Sequence, residues 1–388
     1  MCNKIIIMSS ADFSDLYTLT DEVLGSGGFS EVFAGYRVDD GRKVAVKVMD
    51  PACTKYSMHE VEILKMINHR NVIQFFDYFE YDAQCLLVME CLEGGELLDR
   101  IISKHSYDEN IARDAARNII LAIQHCHAQN ILHRDLKPEN LLLRSHDDDA
   151  DLVLADFGAA TLLPESGSLS SHCVGTIGYI APEILAQQLY SKPVDMWSFG
   201  VILYILLVGQ FPFEDDSQVL CEELKFQEEE LGQLSHEARS LVRSLLKRNP
   251  MERLTAEQVL QHSWMHQPAS VLMRRDLSGK VPALKTFLAK RKFKGGVHAV
   301  IAMGKLTEKL RQEKEEQEVG QLVLPPPAVA GIPLPVPPYH YQSVEAPVKP
   351  PAVQDERVAQ PSPSSVDPPA TQSTETSEAN KSDKCTIH

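Results

Sequence analysis

The hydrophobic pattern of this chain changes period once, near Gly94, and that switch limits the folds open to it. Before it, YTLTDEVLG, EVFAGYRV, KVAVKVMD and CLLVMEC are apolar, β-branched runs separated by Gly and Asp-Gly turns, the pattern of strands. One helical pattern, over 57–67, interrupts them. After Gly94 the spacing is mostly helical. The apolar run VILYILLV at 201–208 falls well short of the ~20 residues of a membrane span and reads as a buried helix. A β-rich N-lobe followed by a helical C-lobe predicts an α+β, bilobal molecule with a ligand cleft between the lobes.

A second change, in composition, comes near residue 320. From Leu322 the sequence runs LPPPAVAGIPLPVPPYHYQ and then becomes Ser/Thr/Pro-rich. Such sequence cannot bury enough apolar surface to offset its ordering entropy, so 319–388 is expected to be a disordered tail. The Pro-rich stretch 324–338 reads as a spacer or as a ligand for a polyproline-reading domain. The expected organisation is an extension over 1–16, a globular domain over 17–266, a further segment over 267–318 and the tail. The formal net charge of −16 argues against nucleic-acid binding by the chain as a whole. Eight scattered cysteines without a C-x-x-C pair fit reduced thiols and a cytoplasmic place, with the nucleus also open. The start MCNKIIIMSS is too short in apolar residues for a secretory signal, and no transmembrane span is expected. Cys385 stands four from the end, as in prenylation boxes, but the final His388 is outside their usual set.

Four stretches carry chemistry. Leu24-Gly25-Ser26-Gly27-Gly28-Phe29-Ser30-Glu31-Val32 is a glycine loop between strands, whose backbone can approach a polyphosphate closely; Ser30 stands where a third glycine is usual. Val44-Ala45-Val46-Lys47 places a Lys in an apolar strand. That Lys either snorkels to water or pairs with a carboxylate, Glu60 being the candidate. Ser57-x-x-Glu60 also fits a helix capping box, a competing role for Glu60. Then come LHRDLKPEN at 132–140, LADFG at 154–158 and GTIGYIAPE at 175–183.

In this order these motifs resemble the catalytic core of eukaryotic protein kinases. GGELLDRI at 94–101, YSKPVDMWSFGVILYILLVG at 190–209 and NPMERLTAEQVLQHSWM at 249–265 are similar, more narrowly, to calcium/calmodulin-dependent protein kinases. The resemblance covers about 17–306 and implies the bilobal protein kinase fold followed by a regulatory helix. It implies ATP contacts at Leu24, Gly25, Gly27, Gly28, Val32, Ala45, Lys47, Glu60, Glu90, Leu92, Glu96 and Leu142. Asp135 would orient the incoming hydroxyl and accept its proton, Lys137 would steady the transferring phosphoryl group, and Asn140 and Asp156 would supply oxygen to Mg²⁺, with Mn²⁺ an alternative. Glu183 and Arg253 are expected to pair structurally. Thr176 points to Ser/Thr substrates, and Glu96 and Glu139 to an Arg three residues upstream of the phosphoacceptor. Where relatives switched on by an upstream kinase carry a Thr, this chain has His172. Ser168, Ser170 and Ser171 remain as activation-loop phosphosites facing Arg134. The segment 220–236 is about five residues shorter than the family leads one to expect.

Between Asp276 and Glu308 there is no carboxylate, while Lys280, Lys285, Lys290, Arg291, Lys292, Lys294 and Lys305 all fall in that gap. The segment could be a solvated helix on the large lobe or bind an anionic membrane surface. It could also be an autoinhibitory segment taken up by calmodulin, an acidic partner that opens Met-rich grooves with Ca²⁺. Phe293, Val297, Val300 and Leu306 give spaced apolar anchors after the basic cluster, and LKTFLAKRKFKGG resembles the family's regulatory segment. Ser278 lies in an Arg-x-x-Ser context and is a candidate autophosphorylation site. No EF-hand pattern occurs, so Ca²⁺ would act only through calmodulin. The expectation is a monomeric, calmodulin-regulated Ser/Thr kinase. The alternatives are a kinase of the same fold regulated without calmodulin, and a silent kinase-fold scaffold.

Overall fold

The computed structural model describes residues 12–293, apart from 27–29, 50–53, 82–83, 105, 148–149, 170–173 and 227–231. The chain divides into Met1–Leu322 and Val323–His388, and all described residues belong to the first unit. The small lobe is one antiparallel sheet of β1 (Tyr17–Ser26), β2 (Ser30–Arg37), β3 (Lys43–Met49), β4 (Phe75–Glu80) and β5 (Cys85–Glu90), in the order β1-β2-β3-β5-β4. The period-2 alternation of strands sorts β3. Val44 and Val46 pack outward with Tyr17, Phe79, Leu86 and Val88. The alternate residues Ala45 and Lys47 face the cleft. The register sets Lys47 opposite Val32 on β2 and Leu87 on β5, in mid-sheet.

Two expectations need correction. β4, FFDYFE, was not among the expected strands because it lacks clean alternation; pairing along β5 builds it instead. After the short helix α1 (Phe13–Leu16), helix α2 spans Thr54–Met66, so it begins three residues before Ser57. Ser57 is therefore inside the helix and not its N-cap, which removes the capping-box role for Glu60.

The large lobe is helical. α3 (Leu97–Ser103) and α4 (Glu109–Ala128) open it, and Asp108 caps α4 by accepting from the Ile111 N–H at 3.0 Å. Buried residues of α4 recur as Ala112, Ala115, Ala116, Ile119, Ile120 and Ile123, one stripe of a 3.6-residue period. After the short α5 (Pro182–Leu185), α6 (Pro193–Val208) contains 201–208 and is buried nearly all round, as its apolar run predicts. It ends at Gly209, whose φ of +90° belongs to the left-handed region. A Cβ there would come within 2.8 Å of Ala283 Cβ, so the glycine also lets a later helix approach. That helix covers 281–293 and buries Leu284, Phe287 and Leu288. The Glu183–Arg253 pair forms inside the lobe at 2.6 Å with almost no exposure. No helix among the described residues is long and apolar enough to cross a membrane.

Candidate active site

A cleft of about 460 Å³ separates the sheet from the helical lobe. Leu24, Gly25, Val32, Ala45, Lys47, Glu60, Glu90, Leu92, Glu96 and Leu142 all line it, together with Asn140 and Asp156. Gly27 and Gly28 lie outside the described residues. Sequence reasoning missed Ser30, Leu64, Ile73, Met89, Ala155 and Phe157 as lining residues. Alternation along β5 could have found Met89, the cleft-side neighbour of Leu87; nothing local marks Leu64 or Ile73.

At the inner end of the cleft, the Lys47 ammonium lies 2.8 Å from a Glu60 oxygen and 3.6 Å from Asp156. Burial alone would push the Lys47 ammonium down, but the two carboxylates outweigh it and hold its pKa above the usual Lys value. Burial likewise opposes charge on Asp156, yet Lys47, His133 and Lys137 keep its carboxyl below the usual range. Asp156 thus enters the cleft ionised. Its backbone sits at φ +58°, a strained conformation fixed by the surrounding loop.

Across the cleft, the loop after β6 (Ile131–Leu132) presents Asp135. Its Oδ2 accepts from Lys137 Nζ at 2.5 Å and its Oδ1 from the Thr176 hydroxyl at 2.6 Å. Lys137 Nζ reaches Thr176 Oγ1 at 3.3 Å, closing a three-residue ring. Asn140 Nδ2 donates to the Asp135 main-chain oxygen at 2.9 Å, which leaves the Asn140 side-chain oxygen for a cation. Asn140 and Asp156 are hard oxygen donors lining one cavity, a donor set that fits Mg²⁺. The loop is anchored from below by buried Asp195, which accepts the His133 and Arg134 N–H groups at 3.0 and 2.9 Å. Arg134 turns away from Asp135, donating to the Ala159 carbonyl at 2.7 Å and the Tyr190 hydroxyl at 3.1 Å. Gly175, at φ +120°, passes where a Cβ would lie 2.8 Å from the Arg134 carbonyl, which lets Thr176 come within reach of Asp135.

The outer rim of the cleft is acidic, and the helix at 281–293 lies on it. Arg291 Nη2 is 2.5 Å from Glu139 Oε1, its Nη1 donates to the Tyr179 hydroxyl, and its guanidinium sits 4.9 Å from the Tyr179 ring centre. Lys292 pairs with Asp99 at 3.0 Å, and Phe287 meets Phe211 edge-on. Glu139 Oε2 and Glu96 Oε2 are buried without a partner. Desolvation raises the Glu96 carboxyl above its usual range, Lys292 and Arg291 opposing and Asp99 and Glu139 assisting. Of the expected calmodulin anchors, Lys290, Arg291, Lys292 and Phe293 are described, and Phe293 is 75% exposed. Lys294, Val297, Val300 and Leu306 lie outside the described residues, as do Ser170, Ser171 and the tail. Ser168 is half-buried. The Ser278 hydroxyl accepts from the Tyr107 N–H at 3.1 Å.

The family description "protein kinase domain" matches residues 18–265. The calcium/calmodulin-dependent protein kinase type 1 of Caenorhabditis elegans is 38% identical over 76% of this chain and 87% of its own length. That of Macrobrachium nipponense is also 38% identical, over 74% and 85%. The calcium/calmodulin-dependent protein kinase type II subunit delta of Oryctolagus cuniculus is 37% identical over 74% of this chain and 55% of its own.

Proposed function

The chain belongs to the protein kinase family and is an ATP-dependent serine/threonine protein kinase; from that premise we propose that calmodulin switches it on by lifting the 281–293 helix from a basic-residue subsite. The observation that carries the proposal is the Arg291–Glu139 pair, because it puts a cation of the chain itself on the acid expected to hold a substrate Arg.

The geometry supports the following residue roles. Asp135 orients the substrate hydroxyl and takes its proton as the oxygen attacks the γ-phosphorus, and ADP departs. Lys137, hydrogen-bonded to Asp135, is placed to follow the moving charge on the phosphoryl oxygens. Thr176 keeps the Asp135 carboxylate turned toward the hydroxyl. Lys47, fixed by Glu60, is suited to the α/β-phosphates. Asn140 and Asp156 would hold Mg²⁺, which when bound neutralises phosphate charge. Glu96 and Glu139, each with a buried free oxygen, suit an Arg upstream of the phosphoacceptor, so the preferred context is Arg-x-x-Ser/Thr.

In the docked state Arg291 competes for that same position. Exposed Phe293 at the end of the helix offers a first apolar anchor to an acidic, Met-rich partner. The relatives' names include calmodulin, which supports this partner. The test is phosphorylation of an Arg-x-x-Ser peptide by the full chain with and without Ca²⁺/calmodulin. Stimulation is expected, abolished in Asp135→Asn. Equal rates in the two conditions would overturn regulation by calmodulin, and loss of the peptide's Arg without a rise in KM would overturn the subsite.

A further inference from the structure

Glu90 ends β5, where the chain crosses from the small lobe to the large one, and it is almost fully buried at 4% side-chain exposure. A carboxylate in that position needs a counter-charge. Arg144, directly after β7 (Leu141–Leu143), supplies it. Its Nε and Nη2 donate to the two Glu90 oxygens at 3.0 and 3.2 Å. The same guanidinium donates from Nη1 to Asp151 Oδ2 at 2.9 Å and from Nη2 to the Arg70 carbonyl at 3.0 Å. Glu90 Oε1 accepts in addition from the Gln74 N–H at 2.9 Å. One cation therefore joins the crossing strand, the turn between β7 and β8 (Leu152–Leu154), and the loop that leads into β4. The planar fork of Arg, unlike the point charge of Lys, can serve several directions at once.

The place of this junction matters for the nucleotide. Met89, Glu90 and Leu92 line the cleft on the crossing strand, and Leu142 lines it from β7, two residues before Arg144. Main-chain bonds follow the same path, from Glu93 N–H to the Arg144 carbonyl and from Gly94 N–H to the Leu143 carbonyl. The Arg144–Glu90 pair thus fixes the spacing between the edge of the cleft and its floor. We infer that Arg144 is a positioning residue for ATP, setting nucleotide affinity through Glu90 without touching the nucleotide. Removal of Arg144 would leave the Glu90 carboxylate supported, among the described residues, only by the Gln74 N–H. The crossing strand would then have to move to bring that charge toward water.

The test measures Mg²⁺·ADP binding by calorimetry and KM for ATP with the full chain. Wild-type binding reports on the cleft; the variants report on Arg144. Arg144→Met is expected to weaken ADP binding and raise KM for ATP about tenfold, about 1.4 kcal/mol, with kcat at saturating ATP within twofold. The double variant Glu90→Gln/Arg144→Met removes the stranded charge and should return affinity to within roughly threefold of wild type, a rescue that general loss of packing would not give. Should Arg144→Met fail to fold, Arg144→Lys is expected to weaken binding by roughly three- to fivefold. ADP affinity within twofold of wild type in Arg144→Met, or in Arg144→Lys when it stands in, would overturn the inference. So would a double variant that binds no better than Arg144→Met.

Discussion

Replacing Arg291 by Ala tests whether the 281–293 helix holds the kinase off. The side chain contributes a 2.5 Å ion pair to Glu139 and stacking on Tyr179. Raw Coulomb attraction for charge centres ~4 Å apart at an effective dielectric near 20 is about 4 kcal/mol. Both partners keep some exposure, 18% for Arg291 and 33% for Glu139, so most of that attraction is offset by lost hydration. A hydrogen bond to a charged group contributes roughly 1.5–3 kcal/mol net, and the stacked ring roughly 0.5–1 more at a partly exposed site. A net loss of about 2 kcal/mol is the working figure, a shift of roughly 30-fold in the docked-to-released equilibrium. The remaining contacts are weaker or different in kind: Lys292–Asp99 is half exposed, and Phe287 contributes buried area against Phe211.

Because the released fraction limits basal turnover, Arg291→Ala is expected to raise basal peptide phosphorylation by roughly 10- to 30-fold. The upper end holds if the docked form exceeds the released one by more than the shift itself. The assay is the initial rate on an Arg-x-x-Ser peptide without Ca²⁺, compared with the rate at saturating Ca²⁺/calmodulin. The second rate should not change, since the helix is then displaced in both proteins. Basal activity within twofold of wild type, with normal calmodulin stimulation, would refute the assignment of Arg291 as the competing cation.

Phe293→Ala should weaken Ca²⁺/calmodulin binding by about 30-fold, the scale of one aromatic anchor. It should leave basal activity unaltered because the ring is mostly in solvent; titration with labelled calmodulin measures the first and the initial rate without Ca²⁺ the second. KM for an Arg-containing peptide should rise as pH falls into the carboxylate range, at a higher pH than an ordinary Glu would give, because burial raises the Glu96 carboxyl and a neutral acid no longer attracts Arg. A matched peptide lacking the Arg should show no such rise. Arg253→Met leaves the Glu183 charge buried and unpaired, and should cost roughly 3–5 kcal/mol of stability, read as a lower urea midpoint.

What could be read from sequence divides along a physical line. That Asn140 and Asp156 would line one cleft, and that Asp135 and Lys137 would stand together, was legible because the motifs at 132–140 and 154–158 resemble the protein kinase core. Strands β1, β2, β3 and β5 and the buried α6 were legible because periodicity is local. The cleft wall at Leu64, Ile73 and Met89 was not, since which side of a strand or helix meets a cavity is settled by what packs on the other side. The same reason hid β4, whose pairing along β5 overrides a pattern with no alternation of its own. Ser57-x-x-Glu60 misled for a related reason: a capping signature fits any helix start, and only the true start at Thr54 frees Glu60 for Lys47. Arg144 was invisible because its partners stand at positions 70, 90 and 151, and no short-range rule links them. The basic run was conspicuous as composition, yet its counterpart was not. Only the fold brings Arg291 to Glu139 across more than 150 residues, and it does so through Gly209 and Phe211, which admit the helix at Ala283 and Phe287. A cation two residues from exposed Phe293 is therefore held by the cleft while its neighbour remains open to a partner, so capture of the aromatic ring can precede release of the cation.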